Sequence, residues 1–357
     1  MSTPRASGYF RTRYAADFAL LDTRTQKTSV IVFAALLAVY PFCAGPLALD
    51  LANQVLLGAI GAVALMLLTG YAGQISLGHA GLLAAGAFTT GILFKEYGAP
   101  FWITLPASAA VGALLGLIFG LPSLRLRGLY LAVSTLALHF IVIHLGSEYE
   151  SKRGFSTGIV IDPPSIGDLR LIDARAWYFV LLAAAGATVL FSLNLLRART
   201  GRAWRAIHGR EAVAGALGIS VHRAKLSAFV VTSMMTAIAG SLFAYFRGFV
   251  SVEAFSLFLT IQYVAMVIIG GMGSILGAIL GTVFVTLFPY VIEWLMEALG
   301  AADEISSLIF AVNYSAFGLV MILFLVFEPQ GLVGIWRRVQ AWFLLWPFKQ
   351  KPLAGAK

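Results

Sequence analysis

The sequence predicts an all-α, polytopic transmembrane helical bundle of about ten spans with both termini cytoplasmic. Three observations carry the fold class. The 357 residues are 60% hydrophobic and 11% charged, with a mean hydropathy of +0.89, a balance outside the range of water-soluble domains. Apolar runs close to the length that crosses a bilayer succeed one another along the chain. The 36 glycines break those runs without producing the alternation of a strand.

Taken in order, residues 1–28 form a polar, basic, cytoplasmic segment. The run after it ends in YPFCAGP, without a small-x-small cleavage pattern, and is expected to stay as an uncleaved first span. Spans are expected near 29–49, 51–69, 79–94, 101–121, 128–146, 176–196, 226–246, 254–270, 274–292 and 306–327. They make one transmembrane domain, 29–334, which includes a loop at 197–225, and 335–357 forms a basic cytoplasmic tail.

Charge placement orients the bundle by the positive-inside rule. With both ends inside, the cytoplasmic segments hold Arg5, Arg11, Arg13, Arg24 and Lys27, then Arg125 and Arg127, then the cations from Arg197 to Lys225, and finally Arg337, Arg338, Lys349, Lys351 and Lys357. Outside remain Lys95, Lys152, Arg153, Arg170, Arg175 and Arg247, together with the acidic cluster Glu293, Glu297, Asp303 and Glu304. The net charge of +9 is therefore explained by the membrane, and no nucleic acid is implied. The long outer loop, about 147–175, carries Pro163-Pro164 and several glycines, which prevent a long helix there. It is read as a cover for the spans, the other reading being contact with a delivered substrate.

Small residues indicate how the spans pack. Gly112, Gly116 and Gly120 recur every four residues, as do Gly273, Gly277 and Gly281, and each set gives a flat ridge for a neighbouring helix. Between the second and third spans, LTGYAGQISLGHAG places Gly70, Tyr71, Gln74, Ser76, Gly78 and His79 where a continuous helix would otherwise run. A break at membrane depth needs protein or a water-filled cavity around its backbone. Two readings stand: part of a solute path, or a polar turn that caps its neighbours. His139 and His144 are assigned no chemistry, and the single cysteine, Cys43, forms no internal disulfide or metal cluster; no metal site is expected.

The loop RARTGRAWRAIHGREAVAGALGISVHRAK mixes cations with Trp204, Ile207, Val213 and Leu217. Thr200 is expected to cap a first short helix, Gly209 to weaken the middle, and Gly218 to stop a second helix in whose first turn Glu211 lies. Helices of about two turns are marginal alone. They are held either by anionic lipid headgroups or by a groove on a soluble partner. None of the expected spans contains Asp, Glu, Lys or Arg, so no coupling carboxylate is offered to protons or sodium. There is no G-x-x-x-x-G-K-[ST] loop, G-x-S-x-G elbow or H-E-x-x-H. This pattern describes a transport subunit that draws its energy from elsewhere. A passive channel shares the absences, and the loop separates the two.

Four blocks make the chain resemble a known family. They are TGYAGQISLGHAG at 69–81, GRAWRAIHGREAVAGALGIS at 201–220 followed by KLSAF at 225–229, IIGGMGSILGAILG at 268–281, and FEPQGLVG at 327–334. From about Leu51 to Gly334 the chain resembles the membrane permease subunit of branched-chain amino-acid ABC importers. The resemblance implies a multi-pass inner-membrane protein working with a second permease in a heterodimer, two cytoplasmic ATPases that use ATP and Mg, and a periplasmic or extracellular binding protein. Membrane lipid surrounds it, and it binds no cofactor of its own. The resemblance also implies ATPase coupling through Arg202, Trp204, Arg205, Ile207, Glu211, Ala212, Leu217 and Gly218. Trp204, Ile207 and Leu217 are expected to supply apolar contact, Arg205 and Glu211 to orient it, and Gly218 to end the helix. Where the family has an acidic run before the glutamate, this chain has His208-Gly209-Arg210, and Gly215 stands where alanine or a larger residue is commoner. The family also includes importers of urea, aromatic and carboxylate solutes.

Overall fold

The structure, a computed structural model, describes residues 24–124, 126, 128–155, 158–166, 169–298, 309–328 and 330–345. The expectations for residues 1–23, Arg125, Arg127, Asp303, Glu304 and the tail beyond 345 lie outside these residues.

The chain begins with α1 (Arg24–Cys43), turns at Gly45, and enters α2 (Pro46–Leu65) with proline in the first turn, where its missing N–H costs nothing. α2 runs on as a π-helical turn, Met66–Tyr71, before the chain breaks. Then come α3 (His79–Tyr97), α4 (Phe101–Ser123) and α5 (Leu129–Arg153). Three two-residue strands follow, β1 (Ile159–Val160), β2 (Ser165–Ile166) and β3 (Leu169–Arg170). Next are α6 (Ala174–Arg197), the short α7 (Arg199–Gly209) and α8 (Glu211–Ala216), and the long α9 (Val221–Arg247). After β4 (Phe249–Val250), a 3-10 turn leads into α10 (Leu257–Gly270), α11 (Ile275–Ala298), α12 (Ile309–Phe327) and α13 (Gly331–Leu345).

Seven of the described helices are long and apolar enough to cross a membrane, or eight if α12 and α13, bent by 53° at their junction, count as one span. The sequence led to an expectation of about ten, and α1 and α3 account for the difference. The apolar part of α1, Lys27–Cys43, is short. α3 carries His79 at one end and Lys95 and Glu96 at the other, and its first three turns are buried almost throughout. Protein encloses it, so its sequence does not need the hydropathy that lipid contact demands.

α9 is the hub and packs on α4, α3 and α2, while α10 pairs with α11. Small residues permit these approaches. Gly112 and Gly116 of α4 face Ser233 of α9, and Gly120 faces Leu226 and Phe229. Gly86 of α3 abuts the Ala237 backbone, and Gly240 of α9 abuts Leu83, so that a methyl group on either would overlap a carbonyl oxygen. At the α10–α11 hairpin Gly277 and Gly281 meet Gly270 and the Met266 backbone. Gly273 is not on that ridge: it sits in the turn at φ +80°. Hydroxyls stitch the same contacts, with Thr90 Oγ1 2.7 Å from Ser241 Oγ and 2.9 Å from Ser108 Oγ.

One end of the bundle is covered by the loop after α5. There β1 pairs antiparallel with β4, Ile159 opposite Val250, and Ile159 and Ile161 are buried. β2 and β3 form a second small pair. These strands were not expected, because two-residue pairings leave no alternation to read. Glu96 joins the same end to α5, accepting from Tyr149 Oη at 2.7 Å and pairing with Arg153 at 2.9 Å.

Candidate functional site

The opposite end of the bundle brings together all four of the sequence blocks. Gly70 lies against Gly273, whose N–H points at Met66 Sδ 3.2 Å away. Gly73, at φ +69°, lies against the His208 ring of α7. Gly271 and Gly331 lie backbone to backbone, which seats α13 on the α10–α11 turn. Tyr71 reaches the backbone of Ile275 and lies within electrostatic reach of Arg205 and Arg337.

Between the π-helical turn and α3, residues 72–78 run without helix, and their burial alternates: Ala72, Gln74 and Ser76 are buried while Gly73 and Ile75 are exposed. The freed backbone is satisfied partly locally, with Gln74 N–H donating to Leu68 O at 3.0 Å and Thr69 Oγ1 donating to Gln74 O at 3.2 Å, and partly by side chains from distant helices. Leu77 N–H donates to Thr135 Oγ1 at 2.9 Å, Ala80 N–H to Thr260 Oγ1 at 3.0 Å, and Gly78 N–H to Ser76 Oγ at 3.3 Å. Both polar atoms of the Gln74 amide, at 2% exposure, have no protein partner, nor does His79 Nε2. The His79 ring packs on Tyr263 with centroids 4.7 Å apart. Buried polar atoms without partners cost about 1–3 kcal/mol each, so this interior is polar beyond the needs of packing.

The loop between α6 and α9 is a compact structure fastened to its own chain. Only one extended residue, Ala198, separates α6 from α7. α7 therefore starts at Arg199, and Thr200, expected as its cap, lies inside it. Gly201 is required because a Cβ there would strike the Leu195 carbonyl and Leu196. Arg202 Nη1 donates to Arg197 O at 2.6 Å and Arg205 Nη2 to Leu196 O at 2.9 Å. Two guanidinium groups thus satisfy carbonyls at the C-terminus of α6, where the helix dipole favours cations.

Trp204 is 0% exposed, and its Nε1 donates to Ser227 Oγ of α9 at 3.0 Å; Ile207 is buried beside it. The outward apolar contact expected of these two is therefore spent inside the chain. Leu217 differs, at 76% exposure, and so does Val213 of α8, at 50%, with Ala212 exposed beside them. Gly218, at φ +82°, ends the pair of helices, with Ile219 N–H returning to Ala214 O at 3.0 Å. Glu211 Oε1 pairs with Lys225 Nζ at 2.5 Å, across from α8 to the second turn of α9. Sequence reasoning missed this pair and the hydroxyl partners Thr135 and Thr260. The lysine stands in KLSAF, but nothing in the spacing shows what it faces.

The family model described as branched-chain amino acid transport system / permease component matches residues 47–327. The chain is 32% identical over 340 residues to the high-affinity branched-chain amino acid transport system permease protein LivM of Escherichia coli, covering 88% of this chain and 77% of that protein. A probable branched-chain amino acid transport permease protein LivM of Methanocaldococcus jannaschii is 27% identical over 237 residues, 63% of this chain and 66% of the relative. The autoinducer 2 import system permease protein LsrC of Klebsiella pneumoniae is 29% identical over 167 residues, 46% of each chain. No solved structure matches.

Proposed function

The chain belongs to the family of permease components of branched-chain amino acid transport systems, and from that premise we propose that it is a membrane subunit of an ATP-driven importer. It moves branched-chain amino acids inward across the bacterial inner membrane. ATP and Mg are used by two cytoplasmic ATPase subunits, and this chain has no catalytic site of its own. A second permease completes the membrane part, and a binding protein delivers the solute from outside. Both termini and the α7–α8 loop are cytoplasmic, and the chain crosses the bilayer about ten times when α1 and α3 are included.

One observation carries the coupling role. α8 stands on an anchored base, yet it holds Val213 and Leu217 out to solvent beside exposed cations. An apolar pair on a polar loop fits a groove on a partner. Closure of the ATPases displaces α8, and α7 passes the motion on through three contacts. Arg202 and Arg205 grip the end of α6, Trp204 grips α9, and His208 bears on Gly73 of the broken segment. The solute path runs past Gly70, Tyr71, Gln74, Ser76, Gly78 and His79, where the unpartnered Gln74 and His79 atoms meet a polar solute.

The test is V213S/L217S in the full importer. Burying a Val or Leu side chain contributes about 1.5–3 kcal/mol, so losing both is expected to weaken ATPase association by about a hundredfold or more. The permease should keep its membrane level, and the ATPases should no longer co-purify. Undiminished co-purification with normal uptake would remove the coupling role from α8.

A further inference from the structure

We infer that Lys225 is a positioning residue: with Glu211 it forms an electrostatic strut that carries motion of α8 into α9. The inference rests on the reading of this chain as an ATP-driven permease subunit. Lys225 is the one Lys, Arg, Asp or Glu in the buried class among the described residues. Its side chain is 8% exposed and that of Glu211 is 30% exposed. A buried charge is costly unless paired, and a well-packed apolar pair usually serves stability as well or better. The fold alone therefore gives no reason for a lysine there.

Position supplies the reason. α8 has six residues and ends at Gly218, so on its own it cannot act as a lever. Ala214 tucks its inner face against the chain, while Val213 and Leu217 face outward. Lys225 lies at the start of the second turn of α9, the helix that packs on α2, α3 and α4. A push or pull on the outer face of α8 reaches the centre of the bundle most directly through the carboxylate and the ammonium. Dispersion contacts lose about a quarter to a half of their attraction over a gap of about 0.5–1 Å. Coulomb attraction falls only as the inverse of distance, so the pair holds under tension where packing lets go. The α7 contacts pass motion to α6, α9 and the broken segment by hydrogen bonds and packing; the strut adds a direct charged tie from α8 itself to the hub.

The experiment uses the whole importer in proteoliposomes, with radiolabelled leucine outside and ATP supplied to the ATPases, reading uptake and ATP hydrolysis together. E211Q/K225M removes both charges and leaves no unpaired ion buried. It is expected to assemble and hydrolyse ATP, but to import about tenfold less leucine for each ATP consumed. The reversed pair E211K/K225E is expected to return that ratio to within about threefold of the unaltered importer, and K225R to hold it. If E211Q/K225M imports with the unaltered ratio, the pair is only a fold contact and the inference is wrong. A reversed pair that assembles but stays uncoupled also overturns it. Failure of the unaltered importer to accumulate leucine would instead strike the functional reading.

Discussion

Replacing Trp204 by alanine removes the largest single anchor of the α7–α8 loop. The side chain is 0% exposed and spends its indole N–H on Ser227 at 3.0 Å. Burial of about 150–250 Å² of aromatic surface, at about 25 cal/mol per Å², gives roughly 4–6 kcal/mol as an upper value. Large-to-small substitutions at buried Phe or Trp cost about 3–5 kcal/mol. With each 1.4 kcal/mol worth about a factor of ten, the docked state of α7 should lose about two to nearly four orders of magnitude relative to the undocked state. W204F keeps most of the packing and gives up the hydrogen bond, worth about 0.5–1.5 kcal/mol. The assay is hydrogen exchange of the backbone amides of residues 199–209 in the membrane-embedded protein, with ATP-driven uptake measured in parallel. W204A should speed exchange across the whole of α7 and abolish uptake, and W204F should do so only slightly. Unchanged protection of α7 together with lost ATPase binding would mean that Trp204 touches the partner, and the account of the loop as self-anchored would fail.

Three further outcomes follow from the interior. Gln74→Leu with His79→Leu should lower leucine transport about tenfold or more while ATPase association persists; Gln74→Leu alone, which removes an amide without partners, should leave the thermal midpoint equal or higher. Normal transport by the double variant would make these residues packing only. Gly240→Val sets a branched side chain against the Leu83 carbonyl, so it should destabilise the α3–α9 crossing by about 1–3 kcal/mol or more, read as a lower thermal midpoint and reduced membrane yield. An unchanged midpoint would contradict the close approach.

Much of this architecture is legible in the sequence because lipid and glycine leave strong marks. Apolar length marks the outer spans, and Gly218 stops α8 at φ +82° as expected from its place after Leu217. Other features escape for physical reasons. The spacing of Trp204, Ile207, Val213 and Leu217 shows that apolar faces exist, but not which of them turns toward the chain's own α9. Only the structure separates the buried pair from the exposed pair. Arg202 and Arg205 are expected at the ATPase contact from the family resemblance, and no spacing shows that both bond carbonyls at the end of α6. Thr200 has the chemistry of a cap but no loop to cap from, since a single residue joins α6 to α7. Gly273 keeps the four-residue period of a helix ridge while serving as a turn. The Glu211–Lys225 pair and the Thr135 and Thr260 hydroxyls join positions far apart in the chain, and no local pattern announces such partners.

The central claim is that this polypeptide moves solute only when an ATPase drives its cytoplasmic loop. The direct measurement is leucine accumulation in proteoliposomes that contain either this chain alone or the complete importer with its binding protein, each with and without ATP. Accumulation against a gradient should appear in the complete importer with ATP and in no other condition. Leucine concentrated by this chain unaided, or flowing through it equally well with or without the ATPases, would contradict the account.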